Sequence, residues 1–235
     1  MNQINIKEYF KTEKEKLRLA VIEHDYEPPS LTIVDGDVGN QIYIKKKIED
    51  FESVGWPVKV VRPKDKFDLR YLLTYDGLET DCVIVQMPTA ERFDFDIPSY
   101  FDCDGLTKNA LVLPATVRGI IDYLDDCGFD YAGKTAVVLG RSNIVGKPMA
   151  KALLDRDMTV SVCHSKTNYG DKEYLLHNAD LVICATGQPQ SQYVAKRLFE
   201  IAQKYKPNYV KDFIPCMGAD GQCNIYCKKF GKCQE

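Results

Sequence analysis

Short apolar runs separated by segments of helical periodicity recur along this chain, and this constrains its fold more than any other feature. The runs are SLTIVDG, VKVVRP and DCVIVQMP, then KTAVVLG, MTVSVCHS, ADLVICATG and a weaker NYVKDFIPC. Between them NQIYIKKKIEDFESVG and KFDLRYLLTYDG repeat at helical spacing, and further helices are expected at 146–155 and roughly 191–205. A charged amphipathic helix over 5–25 precedes the first run, and EPPS stops it. Strands alternating with helices imply parallel strands joined by crossover helices, an α/β fold. A stretch without clear periodicity, 89–113, divides the chain, and the helix TVRGIIDYLDDCG opens the second half with Gly128 at its exit. Two α/β lobes with a cleft between them are therefore expected, the first over 1–115 and the second over 116–235.

Composition narrows the partners. The 31 basic and 34 acidic side chains are spread along the 235 residues, so no basic face for nucleic acid stands out. The amino terminus carries charges every few residues and lacks the apolar core of a signal peptide, and no later run approaches a membrane span. A soluble, cytoplasmic protein without membrane or nucleic-acid partners is the expectation. Cys82, Cys163 and Cys184 lie inside strand-like runs, where a reduced cysteine behaves as a small hydrophobe.

The stretch VVLGRSNIVGKPMAKALL passes from a strand through a glycine turn into a helix. Such a turn aims unpaired backbone N–H groups and the positive end of a helix dipole at one spot, which attracts phosphate. Gly140 permits the sharp turn, Gly146 lets the helix approach the sheet, and Pro148 suits the first helical turn. Five residues separate the glycines and no middle glycine is present, so the usual dinucleotide fingerprint is not met. A purely structural turn and a nucleotide site both fit that spacing, and Arg141 and Ser142 favour the nucleotide by adding a cation and a hydroxyl. The next strand ends CHSKT, where His164, Ser165 and Lys166 offer donors and positive charge before any carboxylate. That pattern favours a 2′-phosphate, and hence NADP over NAD.

In YIKKKIEDF, 100° per residue makes Ile44, Ile48 and Phe51 the buried stripe, with Tyr43 and Lys47 on its border one turn apart. A border lysine can simply snorkel, or it can lose basicity and act as an acid or base near neutral pH. Gln86 at the end of DCVIVQMP and Asp104 in FDCDGL add an amide and a carboxyl expected to face the same lobe boundary. Each alone also suits a structural role, as a backbone cap and a turn residue.

In combination and order, YIKKK, VQMP, DCDGL, GRSNIVGKPM, CHSKT and ATGQP resemble the bifunctional methylenetetrahydrofolate dehydrogenase/methenyltetrahydrofolate cyclohydrolase family, from about Leu31 to Gln190. The resemblance implies a Rossmann-like NAD(P)-binding second lobe, NADP as cofactor and one-carbon derivatives of tetrahydrofolate as substrates. It implies oxidation of the methylene form followed by hydrolysis of the methenyl form, carried out by a homodimer. Under it Lys47 is the catalytic lysine, Tyr43 its ring-stacking partner, Gln86 the glutamine that tunes the lysine and Asp104 the aspartate that holds the pterin. Val85 and Met87 flank Gln86 at the substrate. Gly140, Arg141, Ser142, Gly146, His164 and Ser165 form the cofactor site.

The chain departs from the family pattern at its carboxyl end. A glycine- and proline-rich loop that closes over the folate and a last helix are expected there, whereas the sequence reads CMGADGQCNIYCKKFGKCQE. The chain is thus read as shortened, and a non-catalytic NADP- or folate-binding homologue stays open as the alternative. Cys216, Cys223, Cys227 and Cys233 lack paired knuckle spacing, so free thiols are preferred to zinc and no metal is assigned.

Overall fold

A computed structural model of the chain describes residues 6–23, 27–35, 41–64, 80–86, 97–106, 110–186 and 225–227. Two compact units divide it, one up to Leu113 and the other from Pro114 onward.

The first unit begins with helix α1 (Ile6–Glu23) and continues through strand β1 (Leu31–Asp35), helix α2 (Gln41–Glu52) and strands β2 (Val58–Val61) and β3 (Cys82–Gln86). Its sheet is parallel throughout, in the order β2-β1-β3. Central β1 is buried along its whole length, as a strand flanked and covered on both faces must be. On one face the α2 stripe of Ile44, Ile48 and Phe51 packs against Leu31, Ile33 and Ile84, with Val58, Val60 and Cys82 at the margin. On the other, Val34 and Val83 meet Ile97 and Phe101. Removing side chains such as Ile33 and Val34 from water stabilises this core by about 1.5–3 kcal/mol each.

The second unit holds helix α3 (Ala115–Asp126), strand β4 (Thr135–Leu139), helix α4 (Gly146–Leu154), strand β5 (Thr159–Cys163), helix α5 (Tyr169–Asn178) and strands β6 (Leu181–Cys184) and β7 (Ile225–Cys227). The sheet order is β5-β4-β6-β7, with only β7 antiparallel. Gly128 ends α3 at φ +66°, its N–H donating to the Asp125 carbonyl at 2.9 Å, which is the exit role expected of it. α3 buries Val117, Ile120, Ile121, Tyr123 and Leu124, and α4 buries Met149, Ala152 and Leu153.

Two elements depart from the sequence reading. No helix is predicted between β5 and β6, yet α5 forms there. It buries none of its residues and shows no apolar stripe to read; Asn168 caps it by accepting the Gly170 N–H at 2.9 Å. β7 is also unpredicted, because its residues lie in the cysteine-bearing tail and gain strand character only by pairing with β6. The expected helices in KFDLRYLLTYDG and 191–205, the strand NYVKDFIPC and the residue Met87 lie outside the described residues, as do Cys216, Cys223 and Cys233. Among the described residues no helix is long and apolar enough to cross a membrane.

Candidate functional site

In the first unit the chemistry collects around α2. Ile44 anchors the helix, and Tyr43 and Lys47 on either side of it are half-buried, whereas Lys45 and Lys46 are exposed. Lys45 pairs with Glu49 across one turn at 3.8 Å, a contact between exposed groups that adds little. Lys47 differs. Burial pushes its ammonium below the usual lysine range, and the charge of Asp104 opposes that shift.

Asp104 is buried, at 8% exposure, and its carboxyl is pushed up to about 7. Burial is the main cause; Lys47 pulls the value down, and a hydrogen bond with Asp102 raises it. The two groups thus approach one another in proton affinity from opposite directions. Near neutral pH the Asp104 carboxyl can gain or release a proton at modest cost, which is a property an acid–base site requires. Burial and neighbouring acidic groups push the Cys103 thiol up to about 12, so it stays protonated.

The segment carrying Asp104 is fixed by contacts distant in sequence. The Val83 N–H donates to the Phe101 carbonyl at 2.7 Å, and Asp102 forms a parallel bridge with Val83. The Asp102 carboxylate accepts the N–H of Gly105 at 2.9 Å and of Leu106 at 3.4 Å, closing a turn in which Gly105 adopts φ +72°. Asp102 therefore builds the turn that presents Asp104, a role the sequence reading missed. The signal available was Asp-x-Asp-Gly, in which the first carboxylate can accept the N–H three residues on. Gln86 ends β3 and is buried, with half-buried Val85 before it. Because Cys82 and Ile84 face α2, the pleat turns Gln86 to that same face.

The second unit carries the glycine turn. Gly140 leaves β4 at φ +122° with its N–H donating to the Cys163 carbonyl at 2.7 Å, and an added Cβ would stand 2.4 Å from the Ala185 carbonyl oxygen. Gly146 opens α4. The expectation of unpaired amides there needs correcting: the Ser142 hydroxyl accepts the N–H of Val145 at 3.1 Å and of Gly146 at 3.2 Å, and the Ser142 carbonyl accepts that of Lys147 at 3.0 Å. Attraction for an anion at this turn comes instead from the helix dipole, the Ser142 hydroxyl proton and the exposed Arg141.

Leu139 pairs with Cys163, so Gly140 and Arg141 emerge from the sheet beside His164 and Ser165. His164 Nδ1 accepts the Lys166 N–H at 3.2 Å, which leaves Nε2 to carry the proton of the neutral ring. The residues from 140 to 148 and from 163 to 170 supply Arg141, Lys147, Lys166 and several hydroxyls, and no carboxylate. That donor set fits a phosphorylated dinucleotide.

Residues 114–197 match the family described as "Tetrahydrofolate dehydrogenase/cyclohydrolase, NAD(P)-binding domain". The bifunctional protein FolD of Caldanaerobacter subterraneus subsp. tengcongensis is 35% identical over 194 residues, a span covering 74% of this chain and 69% of that relative. The chain belongs to the FolD family. Solved structures agree. The FolD methylenetetrahydrofolate dehydrogenase/cyclohydrolase of Campylobacter jejuni is 30% identical with a TM-score of 0.65, covering 77% of this chain and 71% of that one. The FolD of Trypanosoma brucei, complexed with NADP and an inhibitor, is 25% identical with a TM-score of 0.67 and covers 80% and 72% of the two chains. The parallel α/β sheets described above are those of a FolD-family fold.

Proposed function

We propose that this FolD-family chain oxidises 5,10-methylenetetrahydrofolate to the methenyl form with NADP and hydrolyses the methenyl form to 10-formyltetrahydrofolate. Opposed shifts in Lys47 and Asp104 are the observation that carries this reading. Burial lowers the proton affinity of the amine and raises that of the carboxyl, to about 7, so that the two lie closer together than a free amine and carboxyl do. Membership of the FolD family supports the reaction class.

NADP, when bound, supplies the acceptor for the hydride leaving the methylene carbon. Arg141, Ser142, His164 and Ser165 would hold its phosphates and ribose, with Gly140 and Gly146 shaping the turn that admits them. In the hydrolytic step water adds to the methenyl carbon, one carbon–nitrogen bond breaks and a proton is released. Lys47 takes that proton in transit, Gln86 and Tyr43 restrain it, Tyr43 stacks on the ring and Asp104 holds the pterin. Val85 and Met87 line the substrate beside Gln86. The working form is read as a cytoplasmic homodimer, for which light scattering should give twice the chain mass.

A spectrophotometric assay with methylenetetrahydrofolate and either cofactor tests the proposal. Product formation faster with NADP than with NAD is expected, followed by consumption of the methenyl form. A flat trace beside measurable NADP binding would overturn it in favour of a non-catalytic binding protein.

A further inference from the structure

The α2-facing side of the first sheet is apolar in two successive rows and then changes character. Val58, Leu31 and Cys82 form one row across the three strands, and Val60, Ile33 and Ile84 the next. Continuing the register by two residues gives Arg62, Asp35 and Gln86, with Asp35 and Gln86 directly paired. Asp35 is a charged residue at 1% exposure in the middle of that third row, at the carboxyl end of the central strand. A side chain of this type is seldom placed there without a task, since its desolvation must be offset by partners. Two partners are evident: Arg62 Nε donates to Asp35 Oδ2 at 3.0 Å, and Gln41 Nε2 donates to the same oxygen at 2.8 Å.

Gln41 is the first residue of α2, the helix that carries Tyr43 and Lys47. One buried carboxylate thus ties the start of the lysine helix to the end of β1, next to Gln86 and beside Arg62. We propose that Asp35 is a positioning residue for the hydrolytic step: it fixes the axial position of α2 relative to β3 and so sets Lys47 against Gln86. The inference rests on the functional reading given above. Burial favours a charged anchor over an apolar one here, because a carboxylate with two oriented donors has a single low-energy arrangement, whereas apolar contacts tolerate sliding. A displacement of about 1 Å is enough to cost up to a hundredfold in a step that depends on alignment.

The experiment compares Asp35→Asn with the native chain in both folate assays. Asparagine keeps an acceptor for Gln41 but loses the charge that Arg62 and Gln41 share. The ratio of hydrolysis to NADP-dependent oxidation should fall about tenfold, with KM for the folate unchanged within about twofold. A loss confined to folding would reduce both activities alike, so an unchanged ratio would overturn the proposal. Gln41→Met, at an exposed position, cuts the same link without altering buried charge and should lower the ratio about threefold. Hydrogen exchange gives a reading independent of activity. In Asp35→Asn the amides of Lys45 to Ile48, which bond back to the first turn of α2, should exchange about tenfold faster while those of β4 stay unchanged. Equal exchange in α2 would also overturn the proposal. Native protein inactive in both folate assays would instead sink the functional reading and leave Asp35 to be judged by exchange alone.

Discussion

The α-carbon of Gly146 lies so close to the carbonyl of Gly140 that an added Cβ would stand 2.4 Å from its oxygen and 2.7 Å from its carbon. Both contacts are backbone, so neither can swing aside as a side chain would. Gly146→Ala should therefore push α4 away from the end of β4 and destabilise the chain by about 1–3 kcal/mol, the usual cost of overpacking. Loss of NADP affinity should accompany it. Denaturant unfolding and a binding titration read the two effects, and a variant as stable as the native chain would show that the close approach is not required.

Ser142 has two functions at one atom. Its hydroxyl oxygen holds the Val145 and Gly146 amides, which leaves its proton to donate outward. Ser142→Ala removes both. The helix end should lose about 1 kcal/mol, as other lost caps do, and NADP should bind several-fold more weakly. Calorimetry separates these outcomes: unchanged stability would mean that water replaces the hydroxyl at the helix end.

Much of this was legible in the sequence wherever a local pattern carried the information. The stripe of Ile44, Ile48 and Phe51 follows from helical spacing, and it places Lys47 on a border before any coordinates are known. Gly140 and Gly146 declare a tight strand-to-helix turn through their positions alone. What stayed hidden depends on contacts distant in the chain. Asp102 acquires its role because Val83, nineteen positions away in the chain, pairs beside it. Asp35 reads as an ordinary strand-end polar residue until Arg62 and Gln41 are seen to converge on it. α5 went unread for a different reason: none of its residues is fully buried, and its apolar contact with the sheet is limited to the adjacent, half-buried Leu175 and Leu176. Only its Asn168 cap and its place as the crossover between two parallel strands mark it.

Lys47 offers the most direct test of the chemistry. Lys47→Met keeps an unbranched, half-buried stem and removes the amine, so the fold should hold. Hydrolysis of the methenyl form should fall by a factor of about 10²–10⁴, the range for a lost acid–base group. The dissociation constant for NADP should stay within about twofold, because the glycine turn belongs to the other unit. Full hydrolytic activity in the variant would remove Lys47 from the mechanism.

Asp104 makes a prediction about pH. Its carboxyl has an ordinary value of 3.8 and is pushed up to about 7 in the fold, so between those values the folded chain holds a proton that the unfolded chain has released. Stability is accordingly greatest below about pH 4 with respect to this group and falls as pH rises toward 7. The full shift corresponds to no more than roughly 4 kcal/mol. Asp104→Asn is neutral throughout and should lack this fall, while carboxylates common to both proteins cancel in the difference. The gain at pH 8 should be smaller than that bound, because the asparagine deprives Lys47 of the carboxylate that favours its ammonium form. Chemical denaturation of the two proteins from pH 4 to pH 8 reads the difference. It should grow steadily in favour of the variant across that window, and parallel curves would show that Asp104 titrates as an ordinary carboxyl.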